Sequence, residues 1–210
     1  MQGLLYAREL AVRSGTSSVL LNGSLYAGSG MEFLLEIDSL SAFSNDLAGS
    51  LEGQGMLSLD PESPRFAATL SGTQLSFGPL EIEQLELKKD AQKQNTSELL
   101  LLGLNAGERF IESVTVKFNG VEPLQNIRAH AQIEGSDIDL DLRGSVVDWA
   151  DPLESGWNGT LHELRLNHQQ FTIALDEPAK VNVSPARLTL EKACFNGSRN
   201  GNWRRRNNKQ

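Results

Sequence analysis

Residues Ile127 to Gly144 read IRAHAQIEGSDIDLDLRG, two consecutive segments in which apolar and polar residues alternate strictly. The apolar members are Ile127, Ala129, Ala131 and Ile133 in the first segment and Ile138, Leu140 and Leu142 in the second. A period of two places successive side chains on opposite faces of a β-sheet. With a turn at Gly135-Ser136, the stretch predicts an antiparallel hairpin with one apolar face and one face, rich in aspartate, in water.

The same alternation recurs along most of the chain. It is clear at Val114, Val116 and Phe118, and again at Phe171, Ile173 and Leu175. Turn signals separate such segments every ~8 to 12 residues, and the spacing predicts on the order of 14 to 17 short strands.

Three local features interrupt the alternation. Apolar residues at Leu40, Phe43 and Leu47 predict one or two helical turns, with Ser39 as a possible cap. Apolar residues change phase around Glu83-Gln84, which predicts a β-bulge or a break. The segment from Lys88 to Ser97, polar except for Ala91, predicts a loop.

Composition excludes several classes of function. The net charge of -8 argues against a nucleic-acid partner, because few cations are present to replace the phosphate counterions. The single cysteine, Cys194, allows no disulfide within the chain and no cysteine-based zinc site. We expect a buried or lone thiol there, with a bridge to a cysteine outside this chain as the alternative. No stretch approaches the roughly 20 apolar residues that span a bilayer, and the first residues do not resemble a secretion signal.

The fold class predicted from these patterns is all-β: a long, mostly antiparallel sheet with little helix. Its apolar face has almost no helix to cover it. Such a sheet curls on itself, pairs with another layer or binds something apolar. The curled alternative leaves an open hydrophobic trough, a shape described as a β-taco.

Residues 35–195 resemble the TamB family, the inner-membrane-anchored subunit of the bacterial translocation and assembly module, related to AsmA-like proteins. The resemblance begins in LEIDSLSAFSNDLAGSLEGQGMLSLD and is sharpest between Trp157 and Phe195. There the chain shows a Trp-x-Gly-x-Leu opening at Trp157, a Leu-x-Glu-Pro-Ala segment at Leu175 and a late cysteine, Cys194. The order of these motifs carries the likeness.

The resemblance implies a segment of a periplasm-spanning bridge in a Gram-negative bacterium. Such a bridge would carry phospholipid acyl chains along a hydrophobic groove between the inner and outer membranes and support outer-membrane biogenesis. It implies a TamA-like outer-membrane barrel partner and an inner-membrane anchor, both through regions outside this chain. The expected organisation is lead-in strands of uncertain register over 1–34, the trough over 35–195, and an irregular basic tail over 196–210.

We expect the acyl chains to contact the inward rows. The candidate groove residues are Val114, Val116, Phe118, Ile127, Ala129, Ala131, Ile133, Ile138, Leu140, Leu142, Phe171, Ile173 and Leu175. The alternative is that the same residues pack against each other in a closed core.

Other functional interpretations are weaker. Asp137, Asp139 and Asp141 superficially resemble a calcium loop, but Leu142 occupies the position that requires glycine. The three histidines lack an acidic partner at ligand spacing, and no nucleophile elbow or phosphate loop is present. We therefore expect no enzyme activity, no metal and no cofactor. An extracellular stalk or adhesin remains the alternative function, and it would require a regular rung length.

Overall fold

The computed structural model describes residues 6–26, 30–58, 65–89, 96–121, 124–147, 156–184 and 187–199. These residues form fifteen strands and one 3-10 turn, η1, and the strand count lies within the range expected from the sequence. The elements are β1 (Tyr6–Ser14), β2 (Ser17–Ser24), β3 (Met31–Ile37), η1 (Leu40–Ala42), β4 (Leu47–Ser58), β5 (Arg65–Phe77), β6 (Leu80–Lys89), β7 (Thr96–Ala106), β8 (Arg109–Val121), β9 (Leu124–Ile133), β10 (Ser136–Val147), β11 (Gly156–His168), β12 (Phe171–Leu175), β13 (Ala179–Ser184), β14 (Arg187–Leu190) and β15 (Phe195–Arg199).

Each strand from β1 to β11 pairs antiparallel with the next strand in the sequence. Beyond β11 the sheet forks: β12 pairs the end of β11 near His168 and continues to β15, while β13 pairs its beginning near Trp157 and continues to β14. No pairing within the described residues joins β1 to the last strands. The molecule is therefore a long antiparallel sheet, open and curled, and the predicted fold class is confirmed.

The meander has two different edges. Along the edge that we call the turn edge, the hairpins close at Gly15, Gly78, Gly107 and Gly135, all with positive φ. The other, which we call the loop edge, carries the connections from β2 to β3, β4 to β5, β6 to β7, β8 to β9 and β10 to β11. Two backbone hydrogen bonds link consecutive turns at the turn edge. Gly78 N–H donates to Asp46 O (3.5 Å), and Gly107 N–H donates to Pro79 O (3.3 Å).

The central hairpin forms, with a turn one residue earlier than expected. Glu134 (φ 43°) and Gly135 (φ 75°) are the turn residues, and Ser136 already pairs with Ile133. Positive φ at both central residues is the geometry of a type I′ turn, whose twist matches that of the flanking strands. The predicted Gly135-Ser136 turn is therefore wrong by one residue.

A line of irregular residues crosses the middle strands. Gly49 (φ 94°), Gln74 (φ 52°) and Gly103 (φ 59°) have left-handed backbone, and the pairing of β6 skips Glu83. This confirms the irregularity predicted near Glu83-Gln84. The phase change turns both Ile82 and Leu85 toward the same face, and such bulges bend and twist the strands that carry them.

The tightest packing lies at the turn edge. Ile37, Leu40, Leu75 and Ile82 form a buried cluster, and η1 supplies Leu40 to it. The predicted helical segment is therefore present but is only the three residues Leu40–Ala42 long, and Ser39 at its N-cap makes no side-chain capping hydrogen bond.

Two boundaries differ from the sequence prediction. Lys88, Lys89, Thr96 and Ser97 were expected in a loop, yet they lie in the paired ends of β6 and β7; residues 90–95 lie outside the described residues. Ladder hydrogen bonds are made by the backbone, so polar side chains do not prevent a strand. The expected irregularity of the tail does not hold for residues 196–199, which belong to β15 and pair with β12; residues 200–210 lie outside the described part.

Candidate functional site

A continuous row of apolar residues crosses the sheet from β2 to β11. Following the pairing from strand to strand, this central row consists of Val19, Leu35, Gly53, Leu70, Leu87, Leu99, Val116, Ala129, Leu140 and Leu164. At about 4.8 Å per strand the row spans roughly 43 Å. No polar side chain interrupts it, so one face of the sheet is apolar along this whole length.

Two parallel rows flank the central row on the same face. The turn-side row consists of Ile37, Leu51, Gly72, Leu85, Leu101, Val114, Ala131, Ile138, Leu166, Ile173 and Gly197. The loop-side row consists of Leu21, Phe33, Gly55, Ala68, Lys89, Ser97, Phe118, Ile127, Leu142, Leu161 and Ala179. We call the face that carries the three rows the groove face.

The structure brings the sequence-predicted groove residues together on this face. Val116, Ala129 and Leu140 lie in the central row; Val114, Ala131, Ile138 and Ile173 lie in the turn-side row; Phe118, Ile127 and Leu142 lie in the loop-side row. Ile133 pairs with Ser136 and Phe171 with His168, one step nearer the turn edge, and Leu175 pairs with Phe195 at the fork. The alternation in the sequence therefore placed all thirteen on one face.

The groove face is only partly covered. Most members of the rows are half-buried, and Phe118, Phe171 and Ile173 keep 38%, 54% and 44% of their surface exposed. A sandwich core would bury such side chains between two sheets. All fifteen strands of the described residues belong to one sheet, so no separate second sheet is present there to complete a sandwich.

The amino-terminal half of the groove was missed by the sequence prediction. Leu21, Leu25, Met31, Phe33, Leu35, Leu57 and Leu70 line a wholly apolar cavity of about 300 Å³ there. Glycines in β4 deepen the face, since the Phe33 ring lies over Gly55 and the Leu70 side chain over Gly53. The available signal was the alternation in β3 and β4, but glycine at inward positions of β4 made those rows look incomplete.

The opposite face, which we call the outer face, carries charged side chains that pair across and along strands. Lys117 Nζ lies 3.2 Å from Glu98 Oε1, and Arg128 Nε lies 3.3 Å from Asp141 Oδ2. Lys88 Nζ lies 2.8 Å from Glu86 Oε2; this contact lowers the pKa of Glu86 below its ordinary value, through a hydrogen bond and then through charge attraction. Exposed pairs of this kind contribute little to stability. They do show that the outer face is the hydrated one.

The histidines are placed differently from the sequence expectation. His130 Nδ1 lies 2.8 Å from Asp139 Oδ1 on the neighbouring strand, so the expectation that the histidines lack an acidic partner is wrong for His130. The two residues become neighbours only through strand pairing. His168 lies on the groove face and its Nδ1 is 2.7 Å from Ser136 Oγ. Among the described residues no group of three or more acidic, histidine or cysteine side chains is placed to hold a metal.

A second concavity, of about 890 Å³, lies across β1 to β6 and is lined by residues of both faces. Its walls include the apolar residues Leu20, Leu34, Met56 and Ala67, and its charged members are Glu9, Glu32, Lys88 and Lys89. Beyond β6 the same outer row continues as Glu98, Lys117, Arg128 and Asp141. An apolar molecule could not follow this concavity along the sheet without meeting those charges, whereas the central row of the groove face remains apolar.

Two further residues have structural settings. The Trp157 ring lies over Gly144 and Gly159, where a side chain on either glycine would collide with it. Cys194 is exposed, so the thiol is not buried and that half of the expectation is wrong.

Comparisons with known proteins identify the family. Searches of curated proteins and of solved structures gave no match. In the described part of the chain, no helix has the length and apolar character needed to cross a bilayer. The family model described as TamB, N-terminal domain, matches residues 2–200, a range that also includes the lead-in strands. This family implies a bacterial envelope protein in the context of a membrane assembly module. Since the match covers nearly the whole sequence, the chain belongs to the TamB family.

Proposed function

We propose that this chain is a segment of a bridge that carries phospholipid acyl chains along the groove face, between the inner and outer membranes. The observation that supports this proposal most directly is the uninterrupted, half-buried central row from Val19 to Leu164, on the one sheet to which all fifteen described strands belong. Each methylene that an acyl chain places against this row is removed from water, which is worth about 0.8 kcal/mol. Because the central row runs across the strands, its length of roughly 43 Å could accommodate an acyl chain at successive positions along the sheet.

The proposed mechanism is passive and involves no covalent chemistry. Neighbouring positions along the central row offer similar aliphatic contacts, such as Leu87, Leu99 and Val116. An acyl chain that moves by one strand therefore exchanges one set of contacts for an equivalent set. Movement along the groove then meets no large barrier, while departure into water exposes the whole chain.

The cellular setting is part of the proposal. The bridge would lie in the periplasm, be anchored to the inner membrane and meet a TamA-like barrel partner in the outer membrane through regions outside this chain. The family membership supports this setting. The alternative of an extracellular stalk built from regular parallel rungs has less support, because every strand pairing described is antiparallel.

Site-specific photo-crosslinking in living cells tests the proposal in the intact protein. A benzophenone side chain replaces Leu140 in one strain and Asp139 in another. These neighbours lie on opposite faces: Leu140 pairs with Ala129 and Leu164, and Asp139 pairs with His130 and Arg165. We expect a phospholipid adduct at position 140 and none at position 139.

The comparison between positions 139 and 140 can also refute the proposed function. Both proteins must accumulate to the same level and resist protease equally. Equal absence of lipid at the two positions, under those conditions, would refute transport along the groove face and favour a scaffold.

A further inference from the structure

The three rows of the groove face contain one charged side chain. In the loop-side row, Lys89 lies between Ala68 of β5 and Ser97 of β7, whereas the other two rows carry leucine where they cross β6. The chain as a whole is acidic, with 27 Asp and Glu against 19 Lys and Arg. From this excess of acidic residues, a single charged residue in the rows would more often be an aspartate or a glutamate than a lysine.

Lys89 is held on the groove face without an ion pair. Its Nζ lies 5.7 Å from the centre of the Phe66 ring, and no carboxylate of the described residues lies within 4.0 Å of it. The residue is half-buried. A cation over an aromatic face is attracted by the ring, but the ring leaves the ammonium N–H donors free for another acceptor.

The space beside Lys89 is suited to a polar group at the end of an apolar one. Lys89, Ser97, Phe118, Gly120 and Gln125 help to line a cavity of about 270 Å³. It lies toward the loop edge of the groove face, and no acidic residue of the described chain lines it. Apolar contacts toward the central row and polar donors toward the loop edge match the two ends of an amphiphile.

We propose that Lys89 binds the phosphate of an anionic phospholipid at the loop edge, while the acyl chains of that lipid lie on the central row. This inference rests on the proposed function and adds selection by headgroup charge. The ammonium donates charge-assisted hydrogen bonds to phosphate oxygens, which are stronger than bonds between neutral groups. Polar headgroups are then kept at the loop edge, away from the apolar rows.

The neighbouring Lys88 provides a matched control. It pairs with Glu98 on the outer face, and Glu86 already forms an ion pair with it at 2.8 Å. The variants Lys89→Met and Lys88→Met each remove one positive charge and keep a side chain of similar length. Lys89→Arg keeps the positive charge and tests whether that charge alone is sufficient for headgroup binding.

The experiment measures lipid capture by the intact protein. Vesicles of phosphatidylcholine carry an equal small fraction of a photoactivatable lipid, either phosphatidylglycerol or uncharged diacylglycerol. We expect Lys89→Met to lower capture of phosphatidylglycerol roughly fivefold and to leave capture of diacylglycerol within about twofold. Lys88→Met should leave both unchanged, and Lys89→Arg should retain phosphatidylglycerol capture.

The outcomes separate the two proposals. Equal loss of both lipids in Lys89→Met, or no loss of either, would overturn headgroup binding by Lys89 while leaving the groove intact. Capture of neither lipid by the unaltered protein would overturn the proposed function together with this inference.

Discussion

At the scale of single residues, the pair formed by Glu86 and Lys88 illustrates the hydrated face. The contact lowers the pKa of Glu86 and raises the pKa of Lys88 relative to their ordinary values. A carboxyl whose pKa is depressed on folding contributes stability at neutral pH, and this contribution is lost as the pH falls through the folded-state value. Because both groups are at the surface, we expect the effect on stability to be small.

The pKa itself is the measurable quantity. We expect an NMR titration to place the pKa of the Glu86 carboxyl below that of an unpaired glutamate, and Lys88→Gln to return it toward the ordinary value. Lys89→Gln is the control, since Lys89 lies on the groove face and should not affect Glu86. An unchanged Glu86 pKa in Lys88→Gln would contradict the pairing.

At the scale of elements, η1 closes the turn edge through one side chain. Leu40 is 7% exposed and packs with Ile37, Leu75 and Ile82. Replacing a buried leucine with alanine removes its transfer free energy and leaves a cavity, a cost of about 2–5 kcal/mol. We expect Leu40→Ala to lower the opening free energy of β3 and β6 amides by about 2–3 kcal/mol in native-state hydrogen exchange.

A leucine in a different setting controls for the chemical change. Leu188 in β14 is 72% exposed, so Leu188→Ala should change the opening free energy of the same amides by less than about 0.5 kcal/mol. Equal effects of the two substitutions would show that η1 does not hold the turn edge closed.

At the scale of the whole molecule, stability is distributed along the meander. From β1 to β11 each strand pairs with the next strand in the sequence, so the sheet resembles a one-dimensional array in which stability is a sum of local terms. Within the described residues β1 has a partner on one side, whereas the strands from β4 to β7 have partners on both sides and supply residues that belong to the buried cluster or pack against it.

This arrangement predicts graded opening instead of a single transition. We expect hydrogen exchange followed by mass spectrometry to show fast exchange in β1 and β14 and slow exchange in β5 to β8. The physical reason is that an end strand can separate without breaking contacts elsewhere. Equal protection of all strands would show that the sheet unfolds as one cooperative unit.

Much of the fold was predictable because strand alternation is a local property. Residues 127–144 contain the period of two that assigns each side chain to a face, and the pairing of β9 with β10 confirms it from Ile127 to Leu142. The phase change near Glu83 was also visible, because a bulge must reverse the alternation. The length of the Leu40 turn and the exact hairpin residues depended on neighbouring strands and were only partly predicted.

The sequence by itself determined which side chains share a face, the open all-β class and, through the order of degenerate motifs, the family. Only the tertiary structure decided which strands are neighbours, and therefore that Val19 and Leu164 belong to one continuous row, that His130 lies beside Asp139, and that Lys89 lies on the groove face. The physical reason is that alternation is fixed by backbone geometry within a strand, whereas rows and contacts across strands depend on register, which is set by turns, bulges and packing far away in the sequence.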